Sequence, residues 1–158
     1  RELRRFFANR PFLYVPYRDS EVFAHQVRDE YFREIPSSAL QNALVFVDPD
    51  NGLEVASMNS RNGDRYITYD ELNALLGRLD DNSILLVFQY FPPQNRPLYI
   101  ERIANSLKDR IRAESAILLS DNRILFIVLG KDGRKLENLS QMLEPYAQEH
   151  NLCHVLRT

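Results

Sequence analysis

One apolar run that stops abruptly constrains the fold of this chain more than any other feature. Ala43–Val47 is apolar and partly β-branched, and Asp48-Pro49-Asp50-Asn51-Gly52 follows it directly. An apolar run that ends in acidic and turn-forming residues predicts a buried central strand. Proline cannot continue a central ladder, so strand pairing should end at Pro49. Ligands bind at the carboxyl ends of strands in open α/β sheets, which predicts a working site at this strand tip.

The length and composition indicate one globular domain. The chain has 158 residues, of which 44% are hydrophobic and 27% charged, with a net charge of −2. Cys153 is its single cysteine, which excludes an internal disulfide or a cysteine zinc cage and favours a reducing compartment such as the cytoplasm. No apolar run approaches the roughly 20 residues of a membrane helix. The chain begins at Arg1 rather than methionine, so we expect a processed product whose N-terminal portion could lie outside this sequence.

Apolar runs alternate with helical periodicities along the chain. The predicted strands are Phe12–Val15, Ala43–Val47, Ser83–Gln89, Ala116–Leu119, Ile124–Leu129 and Cys153–Leu156. The predicted helices begin after Asp19 or Ser20, run from Tyr69 to Leu79 behind a Thr68-x-x-Glu71 capping box, from Gln94–Pro97 to Arg112, and from Leu136 to Tyr146. This alternation predicts a three-layer, Rossmann-like α/β fold with a mainly parallel sheet, as a single domain over residues 1–158. The short link Ser120–Arg123 requires a C-terminal antiparallel hairpin.

Polar side chains gather where two predicted strands end. If Ala43–Val47 and Ile84–Phe88 are neighbouring parallel strands, their tips bring Asp48, Asp50 and Gln89 together. The carboxylates Asp48 and Asp50 are the candidate catalytic residues, since either can act as a general base. The candidate binding residues are Asn51, Gly52, Gln89, Tyr90 and Arg96, and the candidate metal ligands are Asp48, Asp50 and Glu54. Oxygen ligands of this kind suit magnesium or manganese. Asp-Pro-Asp-Asn-Gly is also good turn chemistry, which needs no function to explain it.

The N-terminal segment suggests a partner. Arg1–Arg10 is basic around Leu3, Phe6 and Phe7, which indicates either a phosphate-contacting patch for nucleic acid or the solvated face of an amphipathic helix. We also expect a homo-oligomer and no membrane contact. No glycine pattern matches a dinucleotide fingerprint or a P-loop.

From Ala43 to Leu129 the chain resembles a family of uncharacterised bacterial proteins with a methyltransferase-like fold. The matching segments are Val45–Leu53 with its Asp-Pro-Asp-Asn-Gly-Leu string, Arg65-Tyr66, Glu71-Leu72 and Val87–Tyr90. The resemblance implies that Asp48-Pro49 occupies the place of the Asp/Asn-Pro-Pro-Tyr motif of amino-methyltransferases. Asp50-Asn51 replaces the Pro-Tyr pair, and the glycine-rich loop for S-adenosylmethionine is absent. Both departures argue against that cofactor.

A second resemblance is to haloacid-dehalogenase-like phosphatases, whose first motif is an apolar strand followed by Asp-x-Asp. It implies Asp48 as nucleophile and Asp50 as general acid/base with magnesium between them, Ser120 as the second motif, and Lys131 or Lys135 as the lysine. Gly52 stands where that family usually has threonine. A third hypothesis is a non-catalytic interaction module, in which the acidic loop is only a turn. Whether the chain is an enzyme stays open at this point.

Overall fold

The computed structural model describes residues 27–93, 95–121 and 123–157. The predicted strand Phe12–Val15, the basic segment Arg1–Arg10 and the first part of the helix predicted after Asp19 lie outside the described residues. In the described part of the chain, no helix is long and apolar enough to span a bilayer.

Four helices and seven strands form the described part of the chain. The helices are α1 (Arg28–Arg33), α2 (Tyr69–Arg78), α3 (Arg96–Arg110) and α4 (Gly133–Glu149). The strands are β1 (Leu44–Val47), β2 (Gly52–Leu53), β3 (Tyr66–Ile67), β4 (Ile84–Tyr90), β5 (Ser115–Ser120), β6 (Ile124–Gly130) and β7 (Cys153–Arg157). Two short 3₁₀ helices lie at Ser37–Leu40 and Gly63–Arg65.

Side chains at the helix starts explain where the longer helices begin. The predicted capping box of α2 is confirmed, because Thr68 accepts from the Glu71 backbone N–H and Glu71 accepts from the Thr68 backbone N–H. Asn95 caps α3, and Asp132 caps α4. These residues satisfy N–H groups that have no partner within the helix.

The sheet is mixed, so the expected mainly parallel, Rossmann-like sheet is wrong. Five strands lie in the order β1-β4-β6-β5-β7, and a separate ribbon joins β2 and β3. In the five-stranded sheet β1 and β4 pair in parallel, whereas the β4–β6, β6–β5 and β5–β7 pairs are antiparallel. The predicted hairpin of β5 and β6 is confirmed, but β6 enters the sheet between β4 and β5. A continuous apolar run does not show which strands lie beside it or whether they run parallel to it. The sequence therefore did not predict that β6 lies between β4 and β5.

The expectation that Ala43–Val47 forms a buried central strand is also wrong. Among the described residues, β1 has a strand partner on one side only, where Leu44 lies opposite Ile84 of β4. Leu44 and Phe46 are 51% and 47% exposed, whereas Val45 and Val47 pack against the core. β1 is therefore apolar on both faces but buried on only one.

Two apolar layers flank the sheet. The larger core lies between one face of the sheet and helices α2 and α3, and its fully buried members include Leu72, Leu75, Leu85, Val87, Ile127 and Leu129. The smaller core lies on the opposite face beneath α4 and contains Ile117, Val128 and Leu136. In the described part of the chain, the face with the smaller core is consequently covered by α4 and the other face by α2 and α3.

Candidate functional site

The loop after β1 is a turn held mainly by backbone hydrogen bonds. The Gly52 N–H donates to the Pro49 carbonyl at 3.2 Å, and the Asn51 N–H donates to the Arg65 carbonyl at 2.8 Å. These bonds close the Asp-Pro-Asp-Asn-Gly turn and join it to the start of β3. Turn chemistry therefore accounts for the backbone of this motif.

Gln89 is brought to the turn, as expected, but its amide is used to hold the backbone. Its Oε1 accepts from the Leu53 N–H at 2.7 Å, and its Nε2 donates to the Tyr90 carbonyl at 2.7 Å. Gly52 has a φ of +84°, and a Cβ added there would lie 2.0 Å from Gln89 Oε1. Both predicted binding residues are buried, so their observed contacts shape the turn.

The three carboxylates expected to hold a metal are not drawn together. Asp48 and Asp50 are exposed after β1, whereas Glu54 forms an ion pair with Arg110 of α3. Within the described ranges, no three histidine, cysteine, aspartate or glutamate side chains are placed to hold a metal ion. The catalytic assignment of Asp48 and Asp50 stays a prediction.

The remaining predicted site residues lie near the end of β4. Asn51 is exposed in the turn, and Arg96 is exposed at the start of α3. Backbone N–H groups of Arg123 and Ile124, with smaller contributions from the charges of Arg123 and Arg96, lower the pKa of Asp121. Arg96 thus lies close enough to act on Asp121 of the β5–β6 turn.

An apolar, solvent-facing surface crosses β1 and β4 on the face that carries α4. The parallel register places Phe46 beside Leu86, so Leu44 and Phe46 share a face with Phe88 and Tyr90. Tyr90 is 57% exposed, and its ring centroid lies 4.7 Å from that of Phe88 in an edge-to-face contact. On β6, Phe126 continues the aromatic row at 5.5 Å from Phe88.

Helix α4 forms the margin of this surface. The Lys135 ammonium donates to the Asp81 carbonyl at 3.0 Å, so the Lys135 side of α4 faces the loop before β4. Met142 and Tyr146 follow Lys135 at helical spacing on that side, and they are 77% and 51% exposed. We call this surface the open strip, and its members are Leu44, Phe46, Phe88 and Tyr90 on the sheet and Met142 and Tyr146 on α4.

Asp48, the first residue after β1, lies at one end of the open strip, and Asp50 follows it in the turn. Exposure alternates without interruption from Leu44 through Phe46 and Asp48 to Asp50. The exposed side of β1 therefore changes from apolar at Phe46 to acidic at Asp48. The Asp48 carboxylate thus borders an apolar surface.

A buried ion pair lines a cavity of about 570 Å³ between α1 and α2. Arg28 donates to the Glu71 carboxylate and also to the carbonyls of Gly63 and Tyr66. These contacts tie α1 to the start of α2 and to the loop before β3. These charge-assisted contacts give Arg28 and Glu71 a structural role.

Sequence reasoning missed the open strip because it assumed that β1 was buried on both faces. A signal was present in α4, where Leu139, Met142, Leu143 and Tyr146 follow the i, i+3, i+4, i+7 spacing. The smaller core uses Leu139 and Leu143. The other two residues widen the apolar stripe beyond what the core needs.

Comparison with protein-family models and with curated proteins finds no match for this chain.

Proposed function

We propose that the chain is a protein-binding module whose contact surface is the open strip. The observation that carries this proposal is the exposure of Leu44, Phe46 and Tyr90 on one sheet face beside Met142 and Tyr146 of α4. Contiguous exposed apolar patches mark interaction sites more often than scattered apolar residues do. Aromatic residues and methionine are also enriched in protein interfaces.

The proposal gives the acidic turn a binding role and makes no use of catalysis. Asp48 and Asp50 are exposed, and the Gln89 amide is engaged with the backbone. The methyltransferase-like hypothesis came with an expected mainly parallel sheet, whereas the sheet of the described residues is mixed. The interaction module is therefore the function that agrees best with the contacts described above.

Site-specific photo-cross-linking tests this function. The photoreactive residue p-benzoylphenylalanine is placed at position 46, 90 or 142 of the chain in its native cells, and at position 98 as a control. Leu98 is also apolar and exposed, but it lies on α3 beyond the opposite face of the sheet. We expect the three strip positions to yield one common adduct that position 98 does not yield.

The captured protein is then identified by mass spectrometry, purified, and titrated with the chain in a calorimeter. Binding that Phe46→Ser weakens by about tenfold or more, as expected for an interface anchor, supports the proposal. If position 98 yields the same adduct as the three strip positions, the proposal is contradicted. Adducts confined to residues 1–26 of the same molecule also contradict it, because the chain would then cover its own strip.

A further inference from the structure

We infer that the open strip binds a single amphipathic helix that carries basic residues at the end lying over Asp48 and Asp50. This inference rests on the proposed function and specifies the partner's chemistry. It follows from the width of the strip, from its length and from the position of its charges.

The width of the strip matches one helix. α4 packs on β5, β6 and β7, and Ile84 and Leu86 of β4 pack against the small core beneath it. Among the described residues, no helix covers Leu44, Phe46 or Tyr90 on this face. Neighbouring strands lie about 4.8 Å apart, and packed helices lie about 8–10 Å apart. β1 and the exposed end of β4 therefore offer room for one helix alongside α4, with Met142 and Tyr146 as its lateral contacts.

The length of the strip fits about four helical turns. β4 contains seven residues, which at about 3.3 Å each span roughly 23 Å. A helix covers that distance with about 15 residues. Such a helix would present apolar residues at i, i+3, i+4 and i+7 to the aromatic side chains of β4, as helices bound in apolar grooves do.

The charges at the end of the strip set the sign of the partner. Asp48 follows Phe46 at the two-residue spacing of β1 and is exposed, and Asp50 is exposed in the turn that comes next. At the other end, Asp80 accepts from the Asn42 N–H at 2.8 Å, and Lys135 contacts the neighbouring Asn82. The exposed carboxylates at the β1 tip favour lysine or arginine and disfavour glutamate or aspartate, since like charges in contact suppress wrong partners.

The test uses the full chain and three synthetic peptides of about 15 residues, with binding measured by fluorescence anisotropy at low and high salt. The first peptide has leucine at helical spacing and lysines at one end. The second has the same composition in scrambled order, and the third replaces the lysines by glutamates. We expect the first peptide to bind about tenfold or more tightly than either of the others.

Protein variants locate the binding. Phe46→Ser should weaken binding of the first peptide by about tenfold, because an apolar anchor is lost, whereas the control Leu98→Ser should leave it unchanged. The double variant Asp48→Asn/Asp50→Asn should weaken binding several-fold at low salt and flatten its salt dependence. The control Asp70→Asn/Asp109→Asn removes two exposed carboxylates elsewhere and should do neither.

Each contrary result has a separate meaning. Equal binding of the scrambled or acidic peptide, or no effect of Asp48→Asn/Asp50→Asn, overturns the basic helix and leaves the proposed function standing if cross-linking at position 46 succeeds. A dimer in sedimentation velocity that Phe46→Ser dissociates also overturns the helix, because a second copy would occupy the strip. Failure of both the peptide and the cross-link removes the proposed function as well.

Discussion

Gly52 combines two local requirements that no other residue type meets together. Its φ of +84° lies in the left-handed region, and the Gln89 amide occupies the space where a Cβ would point. The same amide accepts the Leu53 N–H. The glycine of the Asp-Pro-Asp-Asn-Gly-Leu string is therefore explained by the close approach of β4 to the turn.

We predict that Gly52→Ala destabilises the chain by about 2 kcal/mol or more. The left-handed conformation alone costs about 1–2 kcal/mol with a side chain, and the Gln89 amide must also move. Urea denaturation measures the loss. Gly77→Ala is the control, since a Cβ there meets nothing within 4 Å, and it should gain about 0.5–1 kcal/mol by helix propensity.

A double-mutant cycle with Gln89→Ala separates strain from collision. Gln89→Ala alone removes the acceptor of a buried N–H group, which costs about 1–3 kcal/mol. If the amide collision matters, the double variant loses less stability than the two single losses added together. If the two single losses of stability are additive, the whole destabilisation by Gly52→Ala comes from its left-handed backbone conformation.

We predict that the chain loses stability at alkaline pH because the Tyr99 phenol is buried. Burial raises its pKa from 10.0 to about 12, so the folded state holds the phenol proton more tightly than the unfolded state does. Stability is then full below pH 10 and falls between pH 10 and 12, by on the order of 2–3 kcal/mol. Urea denaturation at pH 9 and 11.5 checks the slope.

Tyr99→Phe should reduce this alkaline slope without abolishing it. Tyr69 is buried as well, and burial raises its pKa, so it contributes to the slope that remains. Tyrosinate absorbance should show one late-titrating phenol fewer in the variant. An unchanged slope would mean that Tyr99 ionises equally easily in the folded and unfolded chains.

At the scale of elements, the start of α2 does more than begin a helix. Thr68 and Glu71 form the capping box that their spacing predicts. Glu71 also binds the Arg28 guanidinium, which arrives from a helix 43 residues earlier in the chain. The cap follows from local spacing, whereas the ion pair depends on how α1 packs and could not be predicted.

We predict that Glu71→Gln destabilises the chain by about 3 kcal/mol, and Thr68→Ala by only about 1 kcal/mol. Breaking a buried pair leaves an uncompensated charge and costs about 3–5 kcal/mol, although the Gly63 and Tyr66 carbonyls still hold Arg28. A lost N-cap costs about 1 kcal/mol. Urea denaturation compares the two variants directly.

The double variant Arg28→Met/Glu71→Gln provides the control. Removing both charges should recover part of the loss, since a buried ion pair is often replaceable by apolar groups. If Glu71→Gln destabilises the chain no more than Thr68→Ala does, the contact between Glu71 and Arg28 adds nothing to stability.

The elements themselves were predicted far better than their arrangement. Caps and periodicities are local, so the α2 capping box, the β5–β6 hairpin and the position of β7 followed from the residues. The order of the strands depends on which partner fills each place in the sheet. No residue near β6 in the sequence indicates that this strand lies between β4 and β5. The prediction of β1 as a central strand failed for the same reason, because the sequence does not show which strands are neighbours.

At the scale of the whole molecule, the sheet is covered unequally. Within the described ranges, helices α2 and α3 pack on one face, while α4 leaves β1 and part of β4 open on the other. Substitutions of residues buried beneath α2 and α3 should therefore reduce stability, whereas substitutions in the open strip should leave stability nearly unchanged.

We predict that Phe46→Ser changes stability by no more than about 1 kcal/mol, because the side chain is already half-exposed. Leu85→Ala is the matched control on the neighbouring strand. Leu85 is fully buried, and its truncation should cost about 2–5 kcal/mol. Urea denaturation measures both variants. An equal loss for Phe46→Ser would mean that this ring is covered in solution.

The parallel pairing of β1 also affects the order in which the chain can assemble. Leu44 pairs with Ile84, forty residues later, whereas β4, β5, β6 and β7 follow one another with α3 and α4 between them. During synthesis β1 leaves the ribosome before any of its described strand partners exists. An apolar strand without its partner is exposed to misassociation, so the length of the segment between β1 and β4 sets how long β1 waits for the strand that pairs with it.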